Sequence, residues 1–299
     1  VLPRRFSASN FWQTAIGHGC TWINVVPTMI AYLLNGPDLA TLGLDGAAIR
    51  FCRSASAPLP PAQHLAFEQK FGIGIIETMG LTETAAPCFS NPLDPAQRKL
   101  GSPGPAFGNE AKIVDASGAT LPAGATGEIM VRGANVMSCY YKDPAETARA
   151  LEADGWLHTG DLGHMDADGF VFVTGRIKEL IIKGGENIAP REIDEALLTH
   201  PAVSEAAAVG IPDAQYGQQI LACIVLREGS ACSEAELREH CRRELGPYKT
   251  PGQFRFVADL PRPAPQHRRA DRFRVEGRIA GGARQRVVQL AGAPAERRP

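Results

Sequence analysis

Residues 48–77 contain the pattern that most restricts the possible folds of this chain. An apolar strand pattern at 48–53 is followed by a loop of small residues at 54–59, a helix pattern at about 60–71 and a second strand at 73–77. Strand, helix and strand in this order predict a βαβ unit with two parallel strands. Ligands of such sheets bind beyond the carboxyl ends of the strands, so the two loops that leave those ends are the first candidate site.

The second of these loops, predicted at 78–84, reads Thr-Met-Gly-Leu-Thr-Glu-Thr. Glycine and small side chains let a flat ring approach the backbone, while Thr82 offers a hydroxyl and Glu83 a hard carboxylate oxygen suited to Mg²⁺. The alternative is a helix N-terminus at which Thr82 is the N-cap and Glu83 complements the helix dipole.

A second informative stretch runs from Gly160 to Asn187. Asp161 is predicted just after one strand and Arg176 just after the next, with a hairpin turn at 166–169 between them. A carboxylate and an arginine placed in this way are expected side by side at one sheet edge, where they can grip a polar ligand. The alternative is two ordinary hairpins, since Asp-Gly and Gly-Gly are common turn residues. A calcium loop at 166–169 is disfavoured because the later ligands of an EF-hand are absent.

The remaining patterns predict two further regions. Short strands with Gly and Pro between them, at 110–115 and 127–133, indicate a small antiparallel barrel or sheet. After Arg176 a compact α+β unit is expected, with the domain boundary at Lys178. Its predicted elements are strands at 180–182, 203–209, 220–226 and 254–257, and helices at 190–198 and 233–245, the last with a Ser233–Glu236 capping box.

Composition indicates a compartment, whereas the net charge is uninformative about partners. The formal net charge of -1 gives no global field that favours nucleic acid or an anionic membrane surface. Seven scattered cysteines without a C-x-x-C pair favour a reducing compartment, so we expect a cytoplasmic protein. No apolar run is long enough to predict a membrane span.

Three ordered motifs together resemble one family. They are Met79-Gly80-Leu81-Thr82-Glu83, Thr159-Gly160-Asp161 and Gly175-Arg176-Ile177-Lys178-Glu179. Residues 1 to about 262 resemble the C-terminal part of the adenylate-forming superfamily, which includes acyl-CoA synthetases, luciferases and peptide-synthetase adenylation domains. The segments 54–58, 89–93 and 183–188 are similar to those of the acyl-CoA ligase branch near oxalate-CoA ligases.

The resemblance implies an α/β and α+β protein. Residues 1–177 would be part of a large AMP-binding domain, with a βαβ sheet and a small antiparallel β subdomain, and 178–262 a small mobile C-terminal domain. Such enzymes use ATP and Mg²⁺ to join a carboxylic acid, here expected to be small, to AMP. Coenzyme A then displaces AMP and forms a thioester.

The family roles are carried over by position. Thr82 would hydrogen-bond the α-phosphate and Glu83 would hold Mg²⁺. Asp161 would accept the ribose hydroxyls with support from Arg176, and Lys178 would be the hinge. The adenine would lie between Ser56, Ala57 and Pro58 on one face and Met79, next to Gly80, on the other, while Gly184 and Gly185 would let the pantetheine arm pass. Acyl-pocket candidates are Trp22, Asn24, Pro27 and Cys88, for which core packing is an equal alternative.

Two departures from the family pattern lead to further expectations. No Ser/Thr- and Gly-rich phosphate loop precedes Phe11, and Leu260-Pro261-Arg262 is not followed by the family's Gly-Lys pair, since no lysine occurs after Lys249. The Arg-, Ala- and Pro-rich tail at 263–299 is predicted to be disordered, and a reading-frame change near Pro263 is preferred to a nucleic-acid-binding arm.

We therefore expect a fragment with weak or absent adenylation activity. We also expect self-association through a sheet face left uncovered. The rival functions are a non-catalytic nucleotide- or CoA-binding remnant and an adenylation module that loads a carrier protein.

Overall fold

The computed structural model describes residues 6–85 and 87–260. The chain divides into two compact units, residues 1–178 and 179–299. The tail predicted at 263–299 lies outside the described residues. Within the described ranges, no helix combines the length and the apolar character needed to cross a lipid bilayer.

A four-stranded sheet with three helices forms the first part of the first unit. Three strands run parallel, and the fourth pairs antiparallel with the third. This arrangement confirms the predicted βαβ unit. The elements are α1 (Phe11–Gly17), β1 (Ile23–Val25), α2 (Pro27–Leu34), β2 (Cys52–Ser54), α3 (Pro61–Phe71), β3 (Ile75–Gly80) and β4 (Pro87–Ser90), and the sheet order is β1-β2-β3-β4.

Proline and glycine set the ends of the helices. Pro27 and Pro61 occupy the first position of α2 and α3, where a missing backbone N–H costs nothing. Gly72 ends α3 with a φ of 66°, a left-handed conformation that favours glycine. The apolar helix faces pack on one face of the sheet, in a core that includes Trp12, Ile23, Val25, Ile30, Leu33, Cys52, Phe67 and Ile75.

Two strand boundaries differ from the predictions. The strand predicted at 48–53 is shorter and later, at Cys52–Ser54. The loop predicted to begin at Thr78 begins at Leu81 instead, because β3 continues to Gly80. The extension follows from pairing with β4, in which Thr78 lies opposite Ser90 and Met79 opposite Phe89.

The second part of the first unit is an open five-stranded antiparallel sheet with the order β5-β9-β8-β7-β6. The barrel alternative is therefore wrong for the described residues, and the sheet alternative is confirmed. The elements are β5 (Gly104–Pro105), β6 (Glu110–Val114), β7 (Gly127–Arg132), α4 (Pro144–Ala150), β8 (Leu157–Met165) and β9 (Phe170–Arg176).

The two sheets of the first unit meet at β4 and β5. Phe89 and Ala106 form a β-bridge between them. Gly104 permits this close approach, since a Cβ at that position would lie 2.1 Å from the carbonyl carbon of Ser90. The contact brings the end of β3 next to the antiparallel sheet.

The second unit is an α+β sandwich of one mixed sheet and two helices. Its elements are β10 (Ile181–Lys183), β11 (Glu186–Ile188), α5 (Pro190–Leu198), β12 (Val203–Asp213), β13 (Gly217–Leu226), α6 (Glu234–Lys249) and β14 (Gln253–Phe256). The sheet order is β11-β10-β13-β12, and β14 pairs parallel with β13. The α/β and α+β class predicted from the sequence is confirmed.

Helix α6 shows one confirmed and one wrong prediction. Ser233 and Glu236 form the predicted capping box, with Ser233 Oγ accepting from Glu236 N at 3.2 Å. The helix does not end at Leu245 as predicted. It continues to Lys249 across a break at Gly246, whose φ of 77° and ψ of 170° are not helical.

Candidate functional site

Asp161 and Arg176 face each other across the β8–β9 ladder. Arg176 Nε lies 2.6 Å from Asp161 Oδ1, and Nη2 lies 3.4 Å from Oδ2. The carboxylate side chain is 4% exposed and the arginine side chain is 41% exposed. The side-by-side placement predicted from the sequence is therefore confirmed, and the pair combines a buried acceptor with an accessible donor.

The 166–169 turn fixes the register that pairs these residues. Asp166 Oδ1 accepts hydrogen bonds from the backbone N–H groups of Asp168 and Phe170, at 3.0 and 2.9 Å. Lys99 Nζ contacts the carboxylates of Asp166 and Asp168 at 2.6 and 2.7 Å. The turn is thus held by its own side chains and by Lys99.

Two side chains hold the backbone around Asp161. Thr159 Oγ1 donates to Ile129 O at 2.6 Å and accepts from Asp161 N at 3.1 Å. Glu128 Oε1 accepts from Gly160 N at 3.0 Å, and Glu128 Oε2 lies 2.9 Å from His158 Nδ1. Glu128 was not among the residues predicted from the sequence. Only the β7–β8 pairing shows that it lies beside the 159–161 motif.

The loop after β3 is a single 3₁₀ turn, Thr82–Thr84. The N-cap alternative for Thr82 is wrong, because the N-cap residue is Leu81 and the closing side chain is Thr84. Thr84 Oγ1 accepts from Leu81 N at 3.0 Å. Thr82 itself is exposed.

Glu83 is 6% exposed and is held from a distant segment. Tyr140 donates its hydroxyl to Glu83 Oε1 at 2.8 Å, and Met137 N donates to Glu83 O at 2.7 Å. Tyr140 was missed by the sequence argument, since nothing in the local sequence near 140 indicates a partner 57 residues upstream. The two bonds position the carboxylate and the loop together.

The loop after β2 lies at the same edge of the parallel sheet. Ser54, the last residue of β2, pairs with Glu77 of β3, so the 56–58 loop leaves the sheet beside the end of β3. Ser56, Ala57 and Pro58 are exposed, and Ser56 has a φ of 75°. Met79 is partly buried and Gly80 is exposed. These five residues therefore flank one edge of the parallel sheet.

Cys88 joins this edge to the antiparallel sheet. It is fully buried in β4, and its Sγ donates to Met79 O at 3.5 Å. Burial raises the pKa of the Cys88 thiol to about 11, and the charge of Asp161 acts in the same direction. Of the acyl-pocket candidates, Cys88 thus packs in the core, whereas Trp22 and Asn24 are exposed.

Glu83 is the one acidic side chain assigned here to a metal. Within the described ranges there is no group of three or more His, Cys, Asp or Glu side chains able to hold a metal ion. Mg²⁺ commonly binds through one or two carboxylates plus substrate phosphates and water. A single buried carboxylate beside the exposed Thr82 fits that mode of binding.

The other predicted positions lie at the division of the chain and in the second unit. The 3₁₀ turn Ile177–Glu179 contains Lys178, the last residue before the division of the chain. Gly184 and Gly185 form the two-residue turn between β10 and β11, with φ values of 57° and 87°. A turn with two successive positive φ angles favours glycine at both positions. Turn geometry alone therefore explains both glycines.

Comparisons with known proteins decide the family. The family model described as "AMP-binding enzyme" matches residues 1–141, and the one described as "AMP-binding enzyme C-terminal domain" matches residues 192–265. This chain belongs to the AMP-binding enzyme family. The resemblance inferred from the three motifs is thereby confirmed.

Relatives within the family include acid–CoA ligases. The chain is 63% identical over 262 residues to a sulfoacetate–CoA ligase of Cupriavidus necator, covering 88% of this chain and 51% of the relative. It is 37% identical over 265 residues to an oxalate–CoA ligase of Saccharomyces cerevisiae, covering 88% of this chain and 48% of that relative. The chain thus spans about half the length of the curated relatives it matches.

A solved structure supports the fold. The ATP-bound MatB of Rhodopseudomonas palustris matches with a TM-score of 0.81 and 34% sequence identity, over 88% of this chain and 52% of that one. The mixture of sheets and helices in this chain is therefore that of an adenylate-forming enzyme.

Proposed function

We propose that this chain forms the nucleotide- and thiol-binding part of an ATP-dependent acyl-CoA ligase for a small carboxylic acid. The observation that carries the proposal is the Asp161–Arg176 pair at the end of the β8–β9 ladder. A buried carboxylate held by an arginine is suited to accept two neighbouring hydroxyl groups, as in a ribose.

The phosphate end of the nucleotide is assigned to the turn after β3. Thr82, which is exposed, donates its hydroxyl to the α-phosphate in this proposal. Glu83, whose carboxylate accepts a hydrogen bond from Tyr140, would bind Mg²⁺ in this proposal. Bound Mg²⁺ would neutralise the charge that develops on the phosphates. The adenine ring lies between the 56–58 loop and the Met79-Gly80 segment.

The thioester step is assigned to the second unit. Lys178 ends the first unit, which supports its role as the hinge about which the small domain rotates between the two half-reactions. Gly184 and Gly185 have no side chain beyond the hydrogen atom, which supports passage of the pantetheine arm close to the backbone. The domain ranges 1–177 and 178–262 belong to this proposal.

The substrate class and the level of activity rest on separate arguments. The sulfoacetate and oxalate ligases among the relatives support a small carboxylic acid. Adenylation by this chain is proposed to be weak, since no lysine follows Lys249 and the family's Gly-Lys pair is replaced by Pro263-Ala264. Loss of an oriented charge at a reacting centre typically lowers the rate about 100- to 1000-fold.

Isothermal titration with AMP tests the nucleotide site. We expect Asp161→Asn to weaken AMP binding about 30-fold, because a charged acceptor is lost. Asp154→Asn, at an exposed turn of the same unit, is the matched control and should leave the affinity unchanged. Equal affinity of the wild-type chain and Asp161→Asn would remove the assignment.

ATP–pyrophosphate exchange separates the ligase from its rivals. Exchange with any small carboxylic acid supports the ligase and excludes a non-catalytic remnant, whereas AMP binding without exchange favours the remnant. The thiol then distinguishes a ligase from a carrier-loading module, because free coenzyme A serves only the former. Self-association stays a prediction, to be tested by light scattering, and a monodisperse monomer would contradict it.

A further inference from the structure

Arg53 lies in the middle strand of the three parallel strands, on the sheet face opposite the helices. Its neighbours on β2, Cys52 and Ser54, are buried, whereas Arg53 is partly exposed. In the β1–β2 register Asn24 lies beside Arg53, and in the β2–β3 register the partner of Arg53 is Ile76, two residues before Thr78. Asn24, Arg53 and Thr78 therefore share one face of the sheet.

The contacts of Arg53 go to neutral oxygens. Its Nε donates to Thr78 Oγ1 at 3.0 Å, and its Nη1 donates to Asn24 Oδ1 at 3.1 Å. A guanidinium has five N–H donors, so these bonds leave donors for another acceptor. Among residues 6–85 and 87–260, no carboxylate forms an ion pair with Arg53.

The surroundings of Arg53 do not favour an isolated charge. Burial lowers the pKa of the guanidinium from its ordinary value, which means that the surroundings penalise the cation. A partly desolvated charge is normally compensated by an opposite charge. The residues at 6–85 and 87–260 supply none here, so a ligand anion is the natural counter-charge.

The position of Arg53 connects it to the proposed reaction. It precedes Ser56 by three residues, and Thr78, which it contacts, directly precedes Met79. The loop that follows β2 and the loop that follows β3 are both assigned to the nucleotide in the proposed function. A carboxylic acid that reacts with that nucleotide must bind next to the same edge, and Arg53 is the arginine of β2 that faces this region.

We propose that Arg53 selects acids with two anionic groups, by binding a second acidic group while the carboxylate reacts. The substrate class is then a short carboxylic acid that bears a sulfonate or a second carboxylate. This inference rests on the proposed function for the reacting carboxylate. The fork of the guanidinium can hold two oxygens of a sulfonate or carboxylate at once.

Equilibrium binding tests the inference without requiring turnover. The two probes are sulfoacetate and methylsulfonylacetate, which have closely similar shapes but differ by one negative charge at the distal group. Isothermal titration of the full chain is expected to show sulfoacetate binding about 10- to 100-fold more tightly. Arg53→Gln should abolish this preference, and Arg53→Lys should retain part of it.

Arg50→Gln is the matched control, because Arg50 is exposed three residues away and its charge is removed in the same way. It should keep the preference for sulfoacetate. Circular dichroism checks the fold of each variant, and Arg53→Lys keeps the inference testable if Arg53→Gln does not fold. Equal binding of the two probes by the wild-type chain, or an unchanged preference in Arg53→Gln, would overturn the inference.

A different result is expected if Arg53 only stabilises the sheet by linking β1, β2 and β3. In that case Arg53→Gln weakens both probes equally, which also overturns the inference. ATP–pyrophosphate exchange, measured in parallel with sulfoacetate, reports on the proposed function alone. If exchange is absent but the preference for sulfoacetate still depends on Arg53, the proposed ligase activity is wrong and the proposed anion site is supported.

Discussion

Arg176 and Arg53 are both arginines near strand ends of the first unit, but different groups face them. Arg176 contacts the buried carboxylate of Asp161 across an antiparallel ladder. Arg53 contacts only the neutral oxygens of Asn24 and Thr78 among the contacts described. An arginine already matched by a carboxylate positions that carboxylate, whereas an arginine among neutral acceptors still offers its charge to a ligand.

The largest effect expected from this comparison is on stability. Arg176→Gln removes the ion pair with the buried Asp161, which we expect to lower the free energy of unfolding by about 2 kcal/mol, since the exposure of Arg176 already weakens the pair. Arg53→Gln removes none of the ion pairs described and should change the free energy of unfolding by less than about 1 kcal/mol. Urea unfolding of both variants measures these changes. An equal loss of stability in the two variants would show that Arg176 and Arg53 do not differ in this respect.

The next effect concerns Glu83, a second buried carboxylate, which accepts a hydrogen bond from the hydroxyl of Tyr140. Tyr140→Phe removes the 2.8 Å hydrogen bond and is expected to lower the free energy of unfolding by about 1 kcal/mol. Tyr141→Phe is the control, because Tyr141 is 85% exposed. Urea unfolding should show no change in the control, and an equal loss in both variants would contradict a positioning role for Tyr140.

A smaller effect is expected at Glu128, which holds the backbone next to Asp161. Glu128→Gln replaces the charged acceptor of Gly160 N with a neutral amide oxygen, which weakens that hydrogen bond, and it also removes the charge that faces His158. We expect AMP binding to weaken by about 3-fold, measured by isothermal titration. Glu152→Gln removes the other carboxylate beside His158 and leaves the bond to Gly160, so it should leave AMP affinity unchanged. Equal losses in both variants would show that the charge at His158, not the backbone bond, matters.

The smallest effect is on the titration of Cys88. Its pKa of about 11 lies above the ordinary value of 9.0 mainly because of burial, with a contribution from Asp161. The folded thiol therefore keeps its proton in a range where the unfolded thiol loses it, so this contribution to stability is present below pH 9.0 and is lost as the pH rises through about 11.

The ultraviolet absorbance of the thiolate, taken as the difference between the native chain and its Cys88→Ser variant, measures this titration without requiring a reagent to reach the buried thiol. Asp161→Asn should move the onset of the titration to lower pH, whereas Arg53→Gln should leave it unchanged. An equal shift of the onset in both variants would show that Arg53 affects the pKa of Cys88 as strongly as Asp161 does, contrary to this prediction.

Local signals in the sequence predicted part of the fold and part of the site. The βαβ unit, the 166–169 turn and the Ser233–Glu236 capping box follow from residue spacing within short segments, and the structure confirms them. The opposed placement of Asp161 and Arg176 followed from the short hairpin between them. The roles assigned to the nucleotide-binding residues come from the family resemblance and remain predictions.

The features missed by the sequence argument depend on contacts between distant segments. Tyr140 reaches Glu83 across 57 residues, and Arg53 reaches Thr78 across 25. The extension of β3 to Gly80 depends on pairing with β4, and Glu128 reaches Gly160 only through the β7–β8 register. Neither periodicity nor turn chemistry contains information about such pairings.

The parallel pairing of β1, β2 and β3 has a consequence for the order of folding. Each parallel neighbour is reached through a helical crossover, whereas β12 and β13 of the second unit are joined by a short turn and pair along most of their length. Because loop closure must precede distant contacts, we expect the β12–β13 hairpin to acquire hydrogen-exchange protection first during refolding. Pulse labelling would show this order, with the edge that bears Arg53 among the last parts of the chain to become protected.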